Sequence, residues 1–123
     1  MKRRFRLKNA LIDLFAKALE RGGNEHTFAD IEAEARAGRM QLWPGKQSLA
    51  VTEIRNILGR KTLRILYAAG DGPELEEMTE AMAAWAKVQG CTSLTGTGRP
   101  GWAKRMKQRG WRTIETTLER PLS

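Results

Sequence analysis

A chain of 123 residues with 22 Lys and Arg against 14 Asp and Glu, a net charge of +8, is sized for one domain around one core. Its hydrophobic content of 41% excludes an intrinsically disordered chain, and no apolar run approaches the ~20 residues of a membrane span. The single cysteine, Cys91, excludes an internal disulfide and suits a reducing compartment.

The chain begins MKRRFRLKNALIDLFAKAL, basic and then partly apolar. Asp13 and Lys17 interrupt the apolar part and no small-residue cleavage site follows, so the pattern predicts an amphipathic helix over Phe5–Glu20 rather than a signal peptide. Leu7, Leu11, Leu14 and Ala18 share one face at helical spacing, with Leu19 beside them. Arg21-Gly22-Gly23-Asn24 ends that helix. Thr27 is placed to cap a second one, Phe28–Ala37, with Asp30 in capping-box position. After Gly38, Arg39–Trp43 alternates like a strand and Pro44-Gly45 turns the chain. Ser48–Ile57 is a longer strand, with Leu49, Val51 and Glu53 on one side and Ala50, Thr52 and Ile54 on the other. Gly59-Arg60-Lys61 leads into Thr62–Gly70, where Leu63, Ile65 and Tyr67 alternate against Arg64 and Leu66. These two runs predict an antiparallel hairpin.

Asp71-Gly72-Pro73 breaks the strand. Glu74–Gln89 is then helical, with Leu75, Met78, Met82 and Trp85 on its core stripe and Gly90 as its stop. Cys91–Thr97 reads as a short strand and Pro100–Arg109 as a short basic helix stopped by Gly110. Trp111–Arg120 reads as a last strand with Ile114, Thr116 and Leu118 on one face. The order α-α-β-β-β-α-β-α-β, in a single domain over residues 1–123, predicts an α+β fold: a mixed, mostly antiparallel sheet with helices on both faces.

This order resembles the GCN5-related N-acetyltransferase (GNAT) fold. The resemblance is carried by Ala68-Ala69-Gly70-Asp71-Gly72 before the helix that ends in Gln89-Gly90-Cys91. It is carried also by Trp102–Trp111, which is similar to the family's late helix with its glycine and aromatic residue. Gly38–Gly45 (GRMQLWPG) and Thr52-Glu53-Ile54 resemble the small GNAT-like proteins of bacteriophages and prophages. The resemblance implies that the turn at Ala69, Gly70, Asp71 and Gly72 holds the pyrophosphate of acetyl-coenzyme A on backbone N–H groups and a helix dipole. The family's leading Arg or Gln is missing, since Tyr67-Ala68-Ala69 stands there. Asp71, Glu74, Glu76 and Glu77 bring negative charge instead, and Pro73 removes one donor. One carboxylate ~4 Å from a phosphate charge repels it by ~1 kcal/mol in water and ~4 kcal/mol at an effective dielectric of ~20. The helix dipole returns only ~0.3–1 kcal/mol near a surface. The turn is thus better suited to capping a helix than to binding a diphosphate, and no bound cofactor is expected unless the chain is catalytic, in which case it is acetyl-coenzyme A.

The resemblance places a carboxylate base on a strand and a tyrosine acid on the late helix. Glu53 and Tyr67 are the candidates, although the late helix itself has no tyrosine. Read from the residues alone, Tyr67 is a sheet-packing aromatic and Glu53 a solvent-facing or ion-paired strand residue. His26 reads as a surface histidine without a partner base, and Cys91 as a small core residue. No metal motif is present. Trp85 and Trp111 read as core, while Trp43 and Trp102 read as partly exposed. Arg99, Trp102, Lys104, Arg105, Lys107 and Arg109 form the surface best suited to a partner, and with Lys2–Lys8 a polyanion such as nucleic acid is an alternative. Three functions stand open. They are a non-catalytic virion, assembly or host-interaction protein with a phage or host protein partner, a divergent N-acetyltransferase, and a nucleic-acid binder. The expected place is the bacterial host cytoplasm or the virion, with no membrane contact.

Overall fold

The computed structural model describes residues 9–21, 26–57, 59–97, 100–114 and 118–122. Its elements run α1 (Asn9–Arg21), α2 (Phe28–Arg36), β1 (Gln41–Pro44), β2 (Ser48–Ile57), β3 (Arg60–Gly70), α3 (Gly72–Val88), β4 (Ser93–Gly96) and α4 (Pro100–Lys107). This is the predicted α+β fold in the predicted order through α4. Of the predicted last strand, Trp111–Arg120, residues 115–117 lie outside the described residues, and 111–114 and 118–120 are not in strand conformation. The start of the first predicted helix, Leu7 included, and the basic stretch Lys2–Lys8 also lie outside them.

The strands lie in the order β1-β2-β3-β4. β1 with β2 and β2 with β3 are antiparallel, whereas β3 and β4 are parallel. A parallel pair cannot be closed by a tight turn, and α3 is the crossover that joins it. Alternation along β2 builds a core on each face of the sheet. Leu49 and Val51 point to α1 and α2 and meet Phe15, Leu19, Ile31 and Met40. Ala50 points the other way, with Leu63 and Ile65, and meets Met82 and Ala86 of α3. The stripe Leu75, Met78, Met82 and Trp85 packs here as predicted.

On α1 the buried seam is Leu11, Phe15 and Leu19, a helical turn apart. Phe15 was not on the predicted face, yet it is fully buried and stacks edge-on against Phe28 at 6.2 Å and Tyr67 at 5.9 Å between ring centres. Burying such a side chain stabilises by about 1.5–3 kcal/mol. Thr27 caps α2 through the predicted box, accepting from Asp30 N while Asp30 Oδ2 accepts from Thr27 N.

One irregularity corrects the sequence reading of β3. Val51 pairs with Tyr67, but Thr52 pairs with Ile65, so Leu66 is an extra residue. Such a bulge breaks the two-residue period. Leu66 and Tyr67 therefore both pack on the α1 side, and Tyr67 does not share a face with Leu63 and Ile65. Among the described residues no helix is long and apolar enough to cross a membrane.

Candidate functional site

The turn between β3 and α3 is built around Gly70. Its φ is +129°, and a Cβ there would lie 2.3 Å from Gln47 O and 2.6 Å from Ser48 Oγ. No side chain fits, so the absence of one at Gly70 is explained by the neighbouring strand itself. Ser48, fully buried, accepts from Asp71 N at 2.9 Å. Asp71 then caps α3: its Oδ2 accepts from Glu74 N at 3.0 Å, and its carbonyl accepts from Leu75 N at 2.9 Å. Pro73 has no N–H. Of the amides at 71–75, Gly72 alone is left over among these assignments.

Gly72 is covered from α4. A Cβ on it would lie 3.1 Å from Arg105 Nη1. Arg105 is held there by Glu76, with Nε 2.6 Å from Glu76 Oε1. That oxygen is buried and lies off the N–H direction, so the contact is an ion pair without an aligned hydrogen bond. Arg109 adds Nε at 3.6 Å from Glu76 Oε2 and Nη1 at 3.2 Å from Glu80 Oε1. Its Nη2 is 3.8 Å from Glu77 Oε1. Glu76, Glu77 and Glu80 of α3 are thus neutralised by Arg105 of α4 and Arg109 of the turn after it.

Glu74 reaches to the β1–β2 turn. Its Oε2 and Oε1 accept from Lys46 N at 2.8 Å and Gln47 N at 2.9 Å, which ties the β1–β2 turn to the first turn of α3. The Ser48 hydroxyl and these two amides hold its carboxyl below the ordinary carboxylate range. Gly45 is required for this approach, since a Cβ on it would lie 2.5 Å from Glu74 Oε1.

Beside the turn the sheet is open. β4 pairs with β3 only from Thr62 to Ile65, so Leu66–Gly70 have no β4 partner among the described residues. Ala68 is exposed there although its strand is central, while Ala69 is buried. The candidates Ala69, Gly70, Asp71 and Gly72 are therefore brought together at the mouth of an opening between two parallel strands.

The other candidates are engaged with partners of their own. Glu53 pairs with Arg64 across the hairpin, and its Oε1 is 3.5 Å from Arg55 Nε. Tyr67 packs on Phe15, and its hydroxyl is 2.7 Å from His26 Nδ1, with the rings edge-to-face at 5.8 Å. His26 is thus half-buried and partnered, contrary to the sequence reading; the partner is 41 positions away and left no trace at motif spacing. Cys91 is half-buried against the α3-side core. Trp43 packs edge-on to Trp85 and donates Nε1–H to Thr52 Oγ1 at 2.9 Å.

Of the proposed partner surface, Arg99 lies outside the described residues. Trp102 is half-buried and packs edge-on to Trp111 at 5.6 Å. Arg105 and Arg109 face α3, and Lys104 and Lys107 are exposed. Sequence reasoning missed Ser48 as the residue that seats Asp71. It also missed the pairing of Arg105 and Arg109 with Glu76, although the acidic cluster on α3 and the basic one on α4 were both visible. Among the described residues no group of His, Cys, Asp and Glu is placed to hold a metal ion.

No family model and no curated protein sequence matches the chain. Solved structures do. An acetyltransferase of Trypanosoma brucei superposes with TM-score 0.65 at 12% identity, over 94% of this chain and 96% of that one. Glucosamine-6-phosphate N-acetyltransferase of Arabidopsis thaliana gives 0.62 at 12% identity, over 93% and 90%. A predicted acetyltransferase of Clostridium acetobutylicum, solved with acetyl-CoA, gives 0.63 at 13% identity, over 93% and 89%. With its α+β order, its parallel crossover and its near-complete overlap with these enzymes, the chain has the GNAT-like acetyltransferase fold.

Proposed function

We propose that this GNAT-fold chain works through its surfaces, as a virion, assembly or host-interaction protein of a phage or prophage, and does not transfer acyl groups. One observation carries the reading: two of the amides that would receive a diphosphate at the start of α3 are already engaged, and Pro73 offers none. Ser48 Oγ holds Asp71 N and Asp71 Oδ2 holds Glu74 N, which leaves Gly72 N alone. A diphosphate at this end would have to displace the Asp71 carboxylate, which the helix dipole itself favours. The residues present therefore do not fit acetyl-coenzyme A as they stand. The phage or prophage assignment rests on the wording of Gly38–Gly45 and Thr52–Ile54 alone. The protein partner, of phage or host, and the place in the host cytoplasm or virion follow from that assignment.

A second reading, a divergent acyl-coenzyme A-dependent N-acetyltransferase, is favoured by a different observation. Glu74 is turned into the β1–β2 turn and Glu76 is paired with two arginines, so less negative charge faces the mouth than the sequence suggests. In that reading Gly70 and Gly72 would hold the diphosphate and Glu53 would serve as base. The nucleic-acid reading is weakened by the same ion pairs, which leave fewer cations of α4 free.

Calorimetry with acetyl-coenzyme A separates the two. Silence at ~1 mM ligand, a Kd weaker than about −4 kcal/mol of binding energy, is the expected result. Saturable heat that Gly72→Asp abolishes would replace the first reading by the second.

A further inference from the structure

We propose that the groove between β4 and α3 is a binding site for a small aliphatic carboxylate, its tail on the groove floor and its head at two arginines. The groove has a volume of about 400 Å³, floored by Leu94 and Ala83 and walled by Trp111 and Ile114, with Arg60 and Arg112 at its rim. That volume falls in the ~300–1,000 Å³ range of small-molecule pockets. The lining follows β4 from Ser93 to Gly96, about 10 Å at ~3.3 Å per residue, a shape that suits an extended chain better than a compact ring. None of the lining residues belongs to the β3–α3 turn, so the proposal does not depend on whether Gly70–Gly72 takes a cofactor.

Two hydroxyls of the lining are already occupied as donors. Thr79 donates to Glu76 O at 2.6 Å, and Ser93 donates to Thr62 Oγ1 at 2.9 Å. Leu94, Ala83, Trp111 and Ile114 leave apolar surface between them, which a hydrocarbon tail covers without stranding a polar group. The charges of the lining are divided unevenly. Among the described residues Glu80 is its one carboxylate, and Arg109 holds that carboxylate at 3.2 Å while also reaching Glu76 and Glu77. Arg60 and Arg112 are exposed and have no carboxylate within ion-pair distance among the described residues. Uncompensated positive charge therefore stands beside apolar surface. Its complement is a molecule with one anionic end and an apolar body. A guanidinium fork matches a carboxylate with two parallel hydrogen bonds, which would fix the head while the floor holds the tail.

Calorimetry of the full chain tests the proposal with two probes: decanoate, and decyltrimethylammonium as the same tail under the opposite charge. Decanoate should bind saturably with a Kd at or below ~1 mM and shift the indole N–H resonance of Trp111, and the cation should do neither. Arg60→Gln with Arg112→Gln should weaken decanoate at least ~10-fold. Lys104→Gln with Lys107→Gln removes the same charge from exposed positions on α4 and should change it less than ~2-fold. Ala83→Phe should fill the floor and weaken it as much as the arginine pair does. Residue 83 is exposed, so far-UV circular dichroism of that variant should match the parent. No saturable decanoate binding at ~1 mM overturns the proposal. Equal binding of the two probes also overturns it, because any amphiphile would then adsorb. A loss from the α4 lysine pair as large as from the arginine pair overturns it too, because net charge alone would then attract the acid.

Discussion

At Gly70 the backbone and the packing demand the same thing for different reasons. The φ of +129° strains any side-chain-bearing residue, and the space a Cβ needs is filled by Gln47 O and the Ser48 backbone. Gly38 is the control, because its φ is +79° but nothing lies within 4 Å of a Cβ there. Gly38→Ala should cost about 1–2 kcal/mol, the dihedral penalty alone. Gly70→Ala adds overpacking against backbone that cannot yield, about 1–3 kcal/mol more. Urea unfolding of the two variants checks the difference; equal losses would mean that strand β2 shifts to make room. Glu74 is a second case at this scale. Its carboxyl is held below its unfolded value by the Ser48 hydroxyl and the Gln47 and Lys46 amides. The stability this supplies is present above the unfolded value, about 4.3, and is lost as pH falls through the lower folded one. Glu74→Gln should therefore differ most from the parent near neutrality. The gap in thermal midpoint should close toward pH ~3.

Between elements, Glu76 joins α3 to α4 through Arg105 and to the turn that follows α4 through Arg109. Glu76 is buried, but the Arg105 side chain is 52% exposed, so solvent screens much of the pair. Glu76→Gln should cost about 1–2 kcal/mol, below the 3–5 kcal/mol of a fully buried pair. Glu77→Gln, whose carboxylate meets a single distant guanidinium nitrogen among the described residues, should stay within about 0.5 kcal/mol. Denaturant midpoints of the two variants decide whether burial or mere proximity governs this contact.

These elements also show what the sequence could and could not tell. Periodicity was enough for the helices and for the hairpin, because Leu49 and Val51 against Ala50 is an alternation that only a two-faced strand requires. It failed at Leu66, where one inserted residue reversed the face of Tyr67 without altering composition. The acidic turn was legible as a cap from Asp71 and Pro73. The direction of Glu74 was not, because its partners are amides 27 and 28 positions back, and an amide is present at almost every residue. Likewise the His26–Tyr67 contact joins two residues that no local pattern relates.

Across the whole molecule, one strand carries two cores. β2 gives Leu49 and Val51 to one and Ala50 to the other, so neither layer of helices can settle without it. β3 is supported less evenly, because β4 flanks it only as far as Ile65. From there to Gly70 it has a neighbour on one side only among the described residues, and Gly70 in turn leans on Ser48. Deuterium uptake should register this asymmetry as a gradient along a single strand. Protection should be deepest near Leu63, flanked on both sides, and shallowest toward Ala68. The molecule would then breathe by unzipping from the Gly70 end, and the latch between Glu74 and the β1–β2 turn would be what limits how far it opens.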